Sequence, residues 1–369
     1  MDFLNTTFNK NDYRPTISEN ELSDADVLRE IARLKNELKE QVVILGHHYQ
    51  QDDIISFADY TGDSLQLAQI AAKLQHEHII FCGVHFMAET ADMLTKDNQH
   101  VMLPDLKAGC SMADMAEIND VERAFSEVAR HGRAKVIPIT YINCAANLKA
   151  FVGKNGGSIC TSSNAKKMIQ WAFTQGEKLF FFPDQHLGRN TCYQLGVKLD
   201  EMVVYNPALP QGGLSAEQIK NARVILWHGH CSVHQGFTLD QIKNLRKNDP
   251  QMQIIVHPEC NYDVVFNADD FGSTSYILNK IASSPKGSRF AVGTEINLVN
   301  RIAQQFPDKK IVSLSPYQCL CTTMYRIRPR WLLAGLRSIS ENRPINIIKV
   351  EEDIKVQSLV ALERMLSLS

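Results

Sequence analysis

Three cysteines, Cys110, Cys231 and Cys321, each follow a short apolar segment and stand roughly a hundred residues apart. Thiolates are the preferred ligands of iron–sulfur centres and of zinc, so three thiols at equivalent places suggest one metal or cluster site assembled from distant parts of the chain. The spacing matches neither the paired Cys-x-x-Cys of a structural zinc site nor a tight ferredoxin run. Buried core thiols are the plainer reading of any one cysteine, and it is kept for Cys82, Cys144, Cys160 and Cys192, which lack equivalents elsewhere. Cys260 stays ambiguous. So does Cys319, two residues from Cys321 and able in principle to replace it.

Acid–base groups recur in the same rhythm. His47 with Tyr49, Tyr141 with Asn143, and His257 with Glu259 each end an apolar segment. Alternation along an extended chain sends both members of such a pair to one side. One strand-end histidine alone would be an ordinary structural residue; three equivalent pairs form a proton-transfer inventory. Hydroxyls recur too: Ser64, Ser162 and the Ser273-Thr274 pair stand where helical patterns begin. Singly these read as N-caps, and together as an anion pocket for phosphate or carboxylate. Glu89, His186 and Glu295 close another set of segments, and His234 follows Cys231 closely enough to reach the same cavity.

The elements that would position these residues follow from the same rhythm. Residues 24–40 carry Ile31, Leu34 and Leu38 at helical spacing, with Asp24 and Asp26 near the start. Apolar runs at 42–45, 79–84 and 101–103 predict strands, and the order returns at 135–139, 179–182 and 224–227, then at 253–256, 290–292 and 311–313. Strands alternating with helices predict an α/β fold: three homologous small parallel-sheet domains with pseudo-threefold symmetry around one central active site. The expected divisions are 1–134, 135–251 and 252–369, the last with a C-terminal helix, and a Pro- and Gly-rich insertion near 206–215 reads as a surface loop. Ligands of open parallel sheets bind beyond the carboxyl ends of the strands, where every polar cluster above falls.

Composition narrows the partner. The formal net charge is -2, without a sustained charged run, which gives no reason to expect nucleic acid or an anionic membrane surface. No stretch is long enough to span a bilayer. Residues 1–13 contain no apolar block of signal-peptide length, so a cytoplasmic location is expected. Nine cysteines then point to reduced thiols, metal ligation or catalysis. A small-molecule partner is expected.

Read in order, His47-His48-Tyr49, Gly62-Asp63-Ser64, Tyr141-Ile142-Asn143, Cys160-Thr161-Ser162-Ser163-Asn164-Ala165, Gly229-His230-Cys231-Ser232-Val233-His234, His257-Pro258-Glu259-Cys260 and Gly272-Ser273-Thr274-Ser275 resemble the quinolinate synthase family, A type. The resemblance runs from about residue 42 to 366, and the insertion is similar to that of a longer bacillus-like branch. It implies condensation of iminoaspartate (iminosuccinate) with dihydroxyacetone phosphate to quinolinate, phosphate and two waters, for NAD synthesis. It implies a [4Fe-4S] cluster on Cys110, Cys231 and Cys321, whose open iron acts as a Lewis acid. It further implies proton-transfer or catalytic roles for Tyr49, Tyr141, His257 and Glu259, substrate contacts from Asn143, His47 and His234, and anion binding by Ser64, Ser162 and Thr274. Coupling to the aspartate-oxidising enzyme that supplies the imine is a further expectation. Some relatives carry Cys-x-x-Cys-x-x-Cys at the third ligand, where this chain has Cys319-Leu320-Cys321; Met324 stands at the family's spacing from Cys321, and Cys319 remains open. Two other readings of the residues are a cluster-dependent hydro-lyase, separable by product analysis, and a redox-sensing metal protein, which would need an interaction surface or DNA-binding module.

Overall fold

Short segments rich in Val, Ile and Phe, buried on both faces, build three sheets whose neighbouring strands run parallel, with one antiparallel exception. The computed structural model describes residues 22–131, 134–317 and 319–368; the polar segment 1–13 lies outside them. The first sheet holds β1 (Val42–His47), β2 (Tyr60–Gly62), β3 (His78–Cys82) and β4 (His100–Met102). The second holds β5 (Val136–Tyr141), β6 (Ser158–Cys160), β7 (Lys178–Phe182), β8 (Met202–Tyr205) and β9 (Val224–Trp227). The third holds β10 (Gln253–Val256), β11 (Asp270–Phe271), β12 (Arg289–Gly293) and β13 (Lys310–Ser313).

Their orders are β2-β1-β3-β4, β6-β5-β7-β9 and β11-β10-β12-β13, one topology used three times. Each unit places its second strand at one edge, its first and third inside, and its fourth toward the other edge. The nine apolar runs of the sequence are the first, third and fourth strands. The second strands are too short to show an alternating pattern, which is why the sequence presents them only as loops leading to helices.

The second sheet gains β8 beside β9, just ahead of the insertion. Within the insertion a tight 3₁₀ turn, Pro210–Gly213, folds back on Tyr205. Gly212 has φ +67, and a Cβ there would stand 2.3 Å from the Tyr205 ring, so both backbone and space require glycine.

The first helix, Asp24–Glu37, is capped by Ser23 and buries Val27, Ile31 and Leu34. It packs on a late helix, Pro329–Ser340. After that helix β14 (Ile347–Ile348) adds antiparallel to β4, pairing Ile347 with Met102 and Ile348 with Val101. The final helix, Glu352–Leu368, then lies across the helix Ala146–Lys154 and β6. A side chain on Gly153 would meet the carbonyl of Gln357 at 1.9 Å, so glycine permits this crossing. The end of the chain thus leaves the third sheet and closes over the other two.

Apolar packing divides the molecule unevenly. One continuous core runs through the first and second units and both late helices. The third unit buries separate clusters on its two faces. Polar links join it to the rest: Arg301 donates to Asp52 at 2.8 Å and to the His48 carbonyl at 2.9 Å, and Asn190 donates to the carbonyls of Pro258 and Cys260 at 2.9 and 2.8 Å. Among the described residues no helix is long and apolar enough to cross a membrane.

Candidate active site

Loops leaving the carboxyl ends of all three sheets face one partly open cavity. Every residue to which the resemblance gave a role lines it: Cys110, Cys231 and Cys321; Tyr49, Tyr141, His257 and Glu259; His47, Asn143 and His234; and Ser64, Ser162 and Thr274.

The thiols come from the loops after the fourth strands, β4, β9 and β13. Each sulfur accepts backbone N–H groups of its own turn: Cys110 from Met112 and Ala113, Cys231 from His234, and Cys321 from Thr323 and Met324. Burial pushes the Cys110 thiol up to about 12 and raises the other two; repulsion from neighbouring thiolates and Glu259 adds to the rise at Cys110 and Cys231, and repulsion from Glu295 adds to it at Cys321. Three half-buried, cavity-facing cysteines whose backbone donors suit negative charge fit a positively charged metal group. The ligand atoms of Cys231, His234 and Glu259 lie within 4.8 Å of one another, so acid–base groups reach the thiol end directly. Cys319 does not line the cavity; its sulfur would stand 3.3 Å from a Cβ on Gly236 and lies 3.8 Å from the Tyr317 carbonyl.

The first strands, β1, β5 and β10, supply the acid–base groups. His47 and His257 use Nδ1 in the same way, accepting from the backbone N–H two residues on, of Tyr49 at 3.1 Å and of Glu259 at 3.3 Å. Each is left with Nε2 as the protonated nitrogen of the neutral ring. Burial, above all, lowers both to about 3, so both rings are neutral at physiological pH.

Glu259 is the centre of a connected set. Its Oε1 accepts from the Tyr141 hydroxyl at 2.6 Å and its Oε2 faces His234 Nδ1 at 3.0 Å. Burial acts most strongly on this carboxyl and pushes its pKa upward, but the facing His234 and the hydrogen bonds from His234 and Tyr141 help to hold it below the usual range. An ionised Glu259 suits a proton on His234 Nδ1, and in that neutral tautomer Nε2 is an acceptor for the Thr294 hydroxyl at 3.3 Å. Thr294 can then accept from Tyr49, 2.8 Å away. The donors run consistently from Tyr49 through Thr294 and His234 to Glu259, which Tyr141 reaches from the other side. Burial, then the Glu259 charge, raises both phenols well above 10, so they are protonated donors.

The hydroxyls come from the loops after the second strands. Ser64 and Thr274 are the first residues of the helices Ser64–Ala71 and Thr274–Ala282, and Ser162 lies in the turn before Ala165–Gln175. Asp63 and Ser273 cap the first two helices. These turns present hydroxyls and helix-start N–H groups suited to an anion.

The other second-rank candidates stand outside the lining. Glu89 accepts from Ala146 N at 3.0 Å, and His186 hydrogen bonds to Gln235. Glu295 caps the helix Ile296–Gln305; burial raises it to about 7. Met112 and Thr323 also line the wall, and Thr294 stands behind it; Thr294 directly follows β12 beside Glu295, but a hydroxyl next to a carboxyl carries no signal by type alone.

Fold and cavity together define an α/β enzyme that works on small molecules inside a thiol-bearing cavity. A family model described as "NadA: Quinolinate synthetase A protein" matches residues 29–367. The chain is 56% identical over 347 residues to a quinolinate synthase of Anoxybacillus flavithermus, covering 94% of each chain. It is 54% identical over 346 residues to quinolinate synthases of Bacillus cereus and Bacillus anthracis, again covering 94% of each. The chain belongs to the quinolinate synthetase A protein family.

Proposed function

We propose that this enzyme condenses iminoaspartate with dihydroxyacetone phosphate to give quinolinate, phosphate and two waters, and that Cys110, Cys231 and Cys321 hold a [4Fe-4S] cluster. The observation that carries this reading is the meeting of three backbone-bonded thiols, one from each repeat, in the cavity that also holds Glu259. When bound through three thiolates, such a cluster supplies an iron site that withdraws electrons from a substrate oxygen or nitrogen.

The protein's own groups account for the remaining work. The reaction joins two carbon fragments, closes an imine and removes two waters, so protons leave carbon and nitrogen and arrive on departing oxygens. Glu259, ionised and held by Tyr141 and His234, is the base that takes up a proton at its carboxylate. Tyr49 and Tyr141, kept as phenols, are the donors to leaving oxygens. Ser64, Ser162 and Thr274 bind the phosphate. His47 Nε2–H and Asn143 orient the carboxylates of the imine. Burial keeps competing water from the imine before ring closure. We assign the three repeats as units 1–134, 135–251 and 252–369, with the site shared among them, and the imine would come from an aspartate-oxidising enzyme.

The test is anaerobic purification with iron and sulfide quantified, followed by both substrates and mass detection of product. Quinolinate and phosphate in equal amounts are expected. A protein loaded with cluster that releases a different dehydrated product would replace this reading with a hydro-lyase.

A further inference from the structure

Asp63 lines the cavity in the middle of the hydroxyl set, yet a carboxylate is the wrong charge for a phosphate neighbour. Its hydrogen bonds show what it does instead. Oδ1 accepts from Gln66 N at 2.9 Å, the local helix cap. Oδ2 accepts from Ser163 of the second repeat at 2.8 Å and from Ser275 of the third at 2.7 Å. The Ser275 proton is shared with Gln66 Oε1 at 2.9 Å, and Gln66 Oε1 also accepts from Asp63 N at 3.1 Å.

The partners are the chain neighbours of the cavity-lining hydroxyls. Asp63 precedes Ser64, Ser163 follows Ser162, and Ser275 follows Thr274. In each turn one residue faces the cavity while the next, or in the first turn the previous, is tied to one carboxylate. Other hydrogen bonds at these turns are local: Asn164 Oδ1 takes Thr161 N at 2.7 Å, and Ser273 Oγ caps its helix by taking Tyr276 N at 3.3 Å. Asp63 is itself 5% exposed, whereas Ser163 is exposed and Ser275 half-buried, so the knot stands between cavity and solvent. The third sheet packs its two faces in clusters separate from the continuous core around the first two sheets, so polar ties help to fix Thr274 relative to Ser64 and Ser162.

We propose that Asp63 is a positioning residue: its single carboxylate oxygen, bonded to Ser163 and Ser275, locks the three hydroxyl-bearing turns into the spacing a phosphate group needs. This rests on the functional reading above. Asp63 does not touch the phosphate; with its lone pairs taken by these donors, it acts through the turns.

Ser163→Ala, Ser275→Ala, the double variant and Asp63→Asn test it in the cluster-loaded enzyme. The double variant is expected to raise KM for dihydroxyacetone phosphate about tenfold, as loss of charge-assisted hydrogen bonds implies. Its kcat, its KM for the imine and its iron and sulfide content should stay at wild-type values, a split that general loosening would not give. Ser163→Thr, which keeps the hydroxyl, should restore the KM of Ser163→Ala. In the Asp63→Asn background the serine replacements should add almost nothing, since all act through one oxygen. Unchanged KM for the phosphate substrate, or equal rises for both substrates, would overturn the proposal. Calorimetry with inorganic phosphate judges it apart from turnover: about tenfold weaker binding in the double variant supports it, and equal binding, or none in the wild type, overturns it. Absence of quinolinate from the wild type would defeat the functional reading while leaving the phosphate comparison to decide the lock.

Discussion

The two edges of each sheet furnish opposite ends of one cavity by different means. At the fourth-strand edge, every thiol is held by N–H groups of its own turn, two or three residues downstream. At the second-strand edge, the hydroxyl-bearing turns are held across repeats, through Asp63. Between them, the first and third strands, joined by His234 from the turn after β9, place the acid–base chain, which crosses repeats at Tyr49–Thr294 and Tyr141–Glu259. The order of strands across a sheet is therefore the order of chemistry in the cavity. A metal ligand needs a fixed local environment for its charge, whereas a phosphate needs several distant turns at a common spacing. On the proposed reading, the same fold supplies the first by repetition and the second by cross-links.

The sharpest break of this contrast is Cys231→Ser, which should abolish quinolinate formation and lower bound iron and sulfide in anaerobic protein, yet leave calorimetric binding of inorganic phosphate intact. A loss beyond the roughly 10–100-fold that even an outer contact to a metal costs is expected. Full iron with wild-type turnover would remove Cys231 from the thiol end.

Next comes Glu259→Gln, which keeps shape and accepting oxygen but cannot take up a proton. Single-turnover quinolinate formation should fall about 10²–10⁴-fold with iron content unchanged. A near-wild-type rate would reduce Glu259 to a partner of His234.

Thr294→Val removes the hydroxyl between Tyr49 and His234 at nearly constant volume. The rate should fall about tenfold, the scale of one lost hydrogen bond, and Thr294→Ser should recover most of it. If Val and Ser variants behave alike, packing rather than the hydroxyl matters there.

The smallest effect concerns stability. Asp184 is fully buried, its Oδ2 has no hydrogen-bond partner among the described residues, and burial followed by the Glu259 charge raises its pKa well above 3.8. The folded protein thus keeps a proton that the unfolded chain releases near pH 4. As pH rises above that value the unfolded state gains, and wild-type stability falls toward the raised folded pKa. Asp184→Asn lacks this penalty, so denaturation of cluster-free protein should find it close to wild type at pH 5 and relatively more stable at pH 8. The opposite trend would mean an ionised, stabilising Asp184.

Much of this arrangement is legible in the sequence because a threefold repeat converts weak signals into phased ones. One strand-end histidine says little, but His47, Tyr141 and His257 at matching places imply a shared rim. What stayed hidden has physical causes. Strands β2, β6 and β11 are too short for periodicity. The return of β14 to β4 is a long-range antiparallel pairing that no local pattern encodes. Thr294 and Asp63 are conspicuous only through partners in other repeats, since by type they are a hydroxyl beside a glutamate and an ordinary cap.

The closure of the first sheet by β14 also bears on how the protein is made. Residues 101–102 wait for 347–348 before that edge is covered, and Cys110 waits for Cys321 before the thiol set is complete. Contacts of such separation form late and slowly. During synthesis the first unit would stand with β4 as an open edge, a place where stray pairing begins. The last helix then lies down over β6 and the helix that carries Gly153, sealing the middle unit in the same stroke. On the proposed reading, metal insertion would be deferred until nearly the whole chain has emerged, and a nascent chain cut short before residue 321 would present two of the three thiols.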